Sequence, residues 1–195
     1  LIDPKAGSLT FYEKGAWALH ILRNEIGEKE FRQGIQGYLK KYGFKNVTID
    51  NFLKEMEGST GHDLTAFRNR WLVDKVFHFD EAKRILVSES EDLKTFFELQ
   101  KDMMTSSMDN ESVIKKYWEN THSDQLKAKI IKTYFKSLSQ DFIGEVLGSE
   151  SVLVRQALAT SIVQLPLDLK SEYESLLDDG SYITKEEMLY KLWIN

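Results

Sequence analysis

Phe11-Tyr12-Glu13-Lys14-Gly15-Ala16-Trp17, continued by Ala18-Leu19-His20-Ile21-Leu22-Arg23, is the stretch on which the reading of this chain turns. Thr10 and Glu13 fit the T-x-x-E pattern of a capping box, which predicts a helix with Thr10 as its N-cap and Tyr12 in its first turn. Ala18, Leu19, Leu22 and Ile26 recur at helical spacing, and Gly27 supplies a stop. The expectation is a helix over about 11–26 with a tyrosine near its start, where side chains often face a cleft.

The helical pattern continues in both halves of the chain. Phe31, Ile35, Tyr38 and Leu39 predict a second helix over about 28–42, closed by Gly43. Thr48 is an N-cap candidate, with Asp50 in the first turn, where the helix dipole favours a carboxylate. Phe52, Leu53 and Met56 form the apolar face of that third helix. After the turn Gly58-Ser59-Thr60-Gly61, a fourth helix over about 63–74 presents Leu64, Phe67, Trp71 and Leu72. Proline occurs only at Pro4 and Pro166, so long helices are unobstructed. Beyond the segment Val76-Phe77-His78-Phe79-Asp80, amphipathic helices are expected near 91–105, 111–121, 124–137, 140–147, 152–165, 167–178 and 185–195. The fold class is therefore all-α, with domains over 1–78 and 79–195.

A faint internal repeat runs through the second part. Ser151 to Leu158 aligns with Ser181 to Met188, and more loosely with Ser123 to Ile130. Each unit has a basic residue (Lys127, Arg155, Lys185) followed three positions later by an aliphatic one (Ile130, Leu158, Met188). Helix pairs at such an interval point to a short solenoid of the HEAT or armadillo type, although the unit is shorter than usual. A plain helical bundle is the alternative.

Composition narrows the function classes. The net charge of −5 gives no electrostatic support for nucleic-acid binding. With no cysteine, disulfides, thiol chemistry and Cys-based zinc sites are excluded. No apolar run approaches the roughly 20 residues of a membrane helix. The compartment is not legible.

Y-E-K-G-A at Tyr12–Ala16, before an aliphatic helix, resembles the tyrosine motif of the zinc aminopeptidase family of aminopeptidase N and leukotriene hydrolase. An ordered set of further matches extends the resemblance over about seventy residues. It comprises Tyr38-Leu39 with Tyr42, Thr48 with Asp50 and Phe52, Met56-Glu57, Gly61 with Asp63-Leu64, and Trp71-Leu72. Thr60-Gly61 stands where the family usually has S-G. The resemblance implies that residues 1–78 are the helical end of a thermolysin-like catalytic domain, and that residues 79–195 are a truncated helical C-terminal domain walling its cavity. It implies a parent that hydrolyses N-terminal residues from peptides with zinc, and it makes Tyr12 the catalytic tyrosine whose phenol stabilises the tetrahedral intermediate.

The family's H-E-x-x-H is not present here. His20, His62, His78 and His122 are the only histidines, and no two have ligand spacing. The expectation is a fragment whose zinc ligands and general base lie upstream of Leu1, with zinc in the parent and none held by this piece. Two other readings stay open: a degenerate, non-catalytic relative serving as an interaction scaffold, and an independent helical-repeat binding module. His20 is read as a semi-buried, hydrogen-bonded histidine, Glu13 and Lys14 as capping and solvating residues, and Gly15 as a sign of close approach by another element. Gly34-Ile35-Gln36-Gly37 lies inside a helix and follows no strand, so it is no phosphate loop.

Overall fold

The computed structural model describes residues 8–163 and 170–194, with side chains from residue 12 onward. Every regular element among them is helical, and no strand occurs. The chain divides into two compact units, Leu1–Lys83 and Arg84–Asn195.

The first unit opens with α1 (Ser8–Ile26), which begins two residues before Thr10. Thr10 is thus inside the helix rather than its cap, and Tyr12 is the fifth helical residue. Gly27 takes φ +90° and donates its N–H to the Arg23 carbonyl, which ends α1 at a conformation that other residues adopt only with strain. α2 (Glu28–Tyr42) follows at once, and α3 (Ile49–Thr60) is held at its start by a reciprocal cap. The Thr48 hydroxyl accepts from the Asn51 N–H (3.2 Å), while Asn51 Oδ1 accepts from the Thr48 N–H (3.0 Å). Such caps contribute about 1 kcal/mol.

α2 and α3 are the most extensively packed pair of this unit. Their approach explains Gly34, because a Cβ there would lie 2.5 Å from Met56 Sδ. Bulkier apolar residues of α2 were the expected buried face, yet Leu39 is exposed and Gly34 is the buried residue. In α1, Leu19 is likewise exposed and Ile21 takes its place in the core. The expected fourth helix starts later, as α4 (Thr65–Phe67), since Asp63 Oδ1 accepts the Thr65 N–H at 2.9 Å. It widens into a π-helical stretch, Arg68–Val73, which ends with the Asp74 N–H bonded to the Asn69 carbonyl. Leu64, Phe67, Trp71 and Leu72 are buried as their spacing predicted. α5 (Phe79–Glu89) was not singled out by periodicity, and the division between the units falls within it.

The second unit contains α6 (Glu91–Thr105), α7 (Asn110–Asn120), α8 (Asp124–Tyr134) and α9 (Gln140–Leu147). After these come α10 (Val152–Ser161), α11 (Lys170–Glu174, continued as a 3-10 turn to Asp178) and α12 (Tyr182–Ile194). Successive even-numbered helices touch: α6 meets α8, α8 meets α10, and α10 meets α12. Phe96, Leu99, Ile114, Ile130, Leu158 and Met188 belong to one continuous core. Each fully buried aliphatic side chain contributes about 1.5–3 kcal/mol.

The same local turn recurs before α8, α10 and α12. Ser123, Ser151 and Ser181 each use the side-chain oxygen to accept the N–H three residues on, from Leu126, Val154 and Thr184. Each serine N–H in turn donates to the side chain two residues earlier: Thr121, Ser149 or Asp179. Lys127, Arg155 and Lys185 therefore occupy the same position, their N–H groups bonded to the capping-serine carbonyls. Leu126, Val154 and Thr184 are buried, as are Ile130, Leu158 and Met188. The ends expected for the helices near 152–165 and 167–178 fall partly outside the described residues.

Candidate functional site

α1 buries Ala18, Ile21, Leu22 and Ile26 along one side. At 100° per residue, Tyr12 falls with Ala16, Leu19 and Arg23 on a flank roughly a quarter-turn or more from the centre of that side. Its side chain is 79% exposed, so the described packing does not use it. A tyrosine held at the core would bury 150–250 Å² and hide its ring, and Tyr12 does neither. Glu13 is exposed as well, and with the helix starting at Ser8 the backbone of Thr10 does not stand at the N-cap position. Around Gly15 no described atom lies within 4 Å of where a Cβ would be, so no described element makes the close approach its presence suggested.

One turn further on lies an aromatic group that the sequence reading did not assemble. Trp17 meets Phe77 edge to face at 6.0 Å, and Phe77 meets Trp71 at 6.2 Å. Trp17 also contacts His20 at 5.7 Å, and Trp71 contacts His78 at 5.5 Å. An open depression of about 540 Å³ lies against Glu13, Lys14, Ala16, Trp17 and Phe77. Sixty residues separate Trp17 from Phe77, so no local spacing could have revealed their contact.

The histidines have structural surroundings. Asn24 Nδ2 lies 3.5 Å from His20 Nε2, and His78 Nε2 lies 3.1 Å from Asp74 Oδ2. The Asp74 carboxyl is held below the usual range first by the Val76 N–H and then by His78. His62 and His122 are exposed in loops. Among the described residues no three His, Asp or Glu side chains converge as metal ligands would. These residues by themselves do not fit a zinc ion, which needs at least three protein ligands in tetrahedral array.

With this geometry in place, comparison with known proteins gives the class. Residues 6–71 match the Peptidase family M1 domain, a stretch that runs from just before α1 to Trp71. The chain is 38% identical over 64 residues to Aminopeptidase N of Escherichia coli (strain K12), covering 33% of this chain and 7% of that protein. Aminopeptidase N of Haemophilus influenzae is 33% identical over 88 residues, which is 45% of this chain and 9% of that one. Glutamyl aminopeptidase of Bitis rhinoceros is 38% identical over 60 residues, or 31% and 6%. The alignments thus span less than a tenth of each of these relatives. No solved structure matches. The first third of this chain is thus similar to part of the peptidase family M1 domain of aminopeptidase N-type proteins, and the matched part includes the helix that bears Tyr12.

Proposed function

We propose that this chain is part of a zinc-dependent aminopeptidase that releases N-terminal residues from peptides, and that Tyr12 is the phenol stabilising its tetrahedral intermediate. The single observation that carries the role is the exposure of Tyr12 on the outward face of α1, inside the segment that matches the peptidase domain. A phenol with an ordinary pKa of about 10 stays protonated at neutral pH and can donate to a developing oxyanion. Because the described residues do not make a zinc site, the step assigned to this chain is that hydrogen bond alone. The first unit then serves as the helical end of the catalytic domain. The second unit serves as a helical-repeat domain walling the cavity, a reading supported by the turn that recurs before α8, α10 and α12.

Tyr12→Phe in the intact parent tests the role. The bond forms mainly in the transition state, so kcat should fall about 10²–10³-fold, or about 3–4 kcal/mol, with KM within a few-fold. Full kcat in the variant would remove Tyr12 from the mechanism. A non-catalytic scaffold is the second reading, favoured by the apolar face that α12 leaves uncovered, and it predicts no peptidase activity in the parent at all.

A further inference from the structure

The turn between α2 and α3 carries its aromatic residue at an unfavourable place. Gly43 has φ −50° and ψ 130°, Phe44 has φ +61°, and the Lys45 N–H donates to the Tyr42 carbonyl at 3.0 Å. These values describe a type II turn, whose third residue is ordinarily glycine or asparagine because its φ is positive. Here the glycine stands one place early, and a phenylalanine takes the left-handed conformation. Phe44 is the only non-glycine residue with positive φ among the described residues. A bulky side chain in that region is strained, and such strain gathers at functional sites. Packing does not offset it, because the ring is fully exposed, at 114% of its reference area.

The turn stands on a firm base. Tyr38 meets Tyr42 at 5.3 Å and, edge to face, Phe52 of α3 at 5.1 Å, so the two helices that carry the turn are packed together beside it. Leu39 and Val47 add exposed apolar surface on either side of Phe44 in sequence. The local charge is opposite to that of the chain, whose net charge is −5. No acidic residue lies between Glu30 and Asp50, while Lys40, Lys41 and Lys45 flank the phenylalanine. Lys41 pairs with Glu55 at 2.5 Å. Lys45 donates to the Lys41 carbonyl at 2.8 Å, which keeps it at the turn. Lys40 is exposed and has no acidic partner among the described residues. A lone convex aromatic has no cleft of its own and needs a medium that closes round it. A lipid bilayer does so: the ring enters the boundary between headgroups and acyl chains, and each lysine near an anionic surface strengthens binding about fivefold.

We propose that the α2–α3 turn is a contact point for an anionic lipid bilayer, with Phe44 inserted among the lipids and Lys40 and Lys45 against the headgroup phosphates. Only the first unit takes part, and the peptidase reading is not required. The test sediments the 195-residue chain with phosphatidylcholine vesicles, alone or mixed with phosphatidylglycerol, at low and high salt. Binding should be about tenfold stronger with the anionic lipid, and salt should weaken it by screening the charges. Phe44→Gly should cut that binding about tenfold by removing the inserted ring. The same variant should melt no lower than wild type, because glycine relieves the positive φ. The Lys40→Gln, Lys45→Gln double variant should erase the preference for the anionic lipid. Equal sedimentation with both kinds of vesicle, or full binding by Phe44→Gly, overturns the proposal. So does a lower melting temperature of Phe44→Gly, which would mean that the ring packs within the protein. Binding to soluble polyglutamate as strong as to the vesicles would assign the turn to an acidic protein and overturn the lipid partner.

Discussion

Arg155 of α10 donates from Nε to the carboxylate of Asp179, which lies in the turn leading into α12, and its Nη1 donates to the Ser149 carbonyl at 2.6 Å. The Asp179 side chain is 2% exposed and that of Arg155 17%. Burial pushes the Asp179 carboxyl up, but the Arg155 bond, the Ser181 N–H and the nearby positive charges together hold it below its ordinary value. The pair ties two consecutive members of the recurring turn together. Removing one partner from such a pair strands a buried charge, at about 3–5 kcal/mol. Arg155→Ala should therefore lower stability by that amount in urea denaturation. Replacing both residues by apolar side chains of similar volume should recover most of the loss. An Arg155→Ala protein as stable as the parent chain would show the pair to be solvated.

Gly34→Ala should destabilise the first unit by about 1–3 kcal/mol, the usual range for overpacking a filled site. The added methyl would meet Met56 Sδ at 2.5 Å and Cε at 2.7 Å, and Met56 is itself completely buried. The helix propensity of alanine works the other way by about 1 kcal/mol, so the net loss belongs near the lower end. Met56→Ala in the same protein relieves the clash, and the two substitutions should be less than additive. Stabilisation by Gly34→Ala alone would mean that α2 and α3 are not in close contact in solution.

The Tyr117 hydroxyl donates to Asp102 Oδ2 at 2.8 Å, and it gives stability a pH dependence at both extremes. Burial, and then this bond, push the Tyr117 phenol up to about 12. Because that pKa is raised above the unfolded value of about 10, the contribution is complete below pH 10 and lost as pH climbs toward 12. The same bond, followed by that of Lys116, holds Asp102 below its ordinary value. That contribution is present above about pH 4 and disappears as pH falls. Absorbance titration of wild type against Tyr117→Phe should show one tyrosine ionising near 12, with thermal melts of the variant flatter at both ends. A difference titration centred at 10 would contradict the structure. Burial also raises Tyr134, which is why the comparison with the variant is needed.

Tyr12→Phe and Tyr12→Ala should each leave the stability of this chain within about 0.5 kcal/mol, as expected of an exposed side chain away from packing and caps. The measurement is a melting curve on each variant. A loss of more than 1 kcal/mol on truncation to alanine would mean that Tyr12 packs where the structure shows it open, and would argue for a structural role.

The local elements were legible from sequence because their causes are local. Thr48 caps α3, Gly27 and Gly43 bound α2, and the spacing of Leu64, Phe67, Trp71 and Leu72 gave a buried face that the structure retains. The serines before α8, α10 and α12 could be aligned by eye because a capping hydroxyl and an aliphatic or methionine residue seven positions later are set by helix geometry alone. Tyr12 was legible for a different reason: its neighbours form a motif. The start of α1, the late start and π-helical end of the fourth helix, the presence of α5, the exposure of Leu19 and Leu39, and the open space at Gly15 all departed from expectation.

By itself, then, the sequence determined an all-helical chain, the resemblance of its first third to an aminopeptidase, and the position of the one tyrosine proposed to act. Tertiary structure decided which apolar residues are core, because an amphipathic pattern marks a face without saying what will cover it. It put Gly34 rather than Leu39 at the α2–α3 contact, since backbone approach is limited by the smallest residue present. It also joined Trp17 to Phe77 and Arg155 to Asp179, pairs whose separation along the chain leaves no periodic trace. Finally, it left Leu189 of α12 exposed where Ile131 of α8 and Ala159 of α10, equally placed after their capping serines, are buried, because α8 and α10 each have a further helix against them.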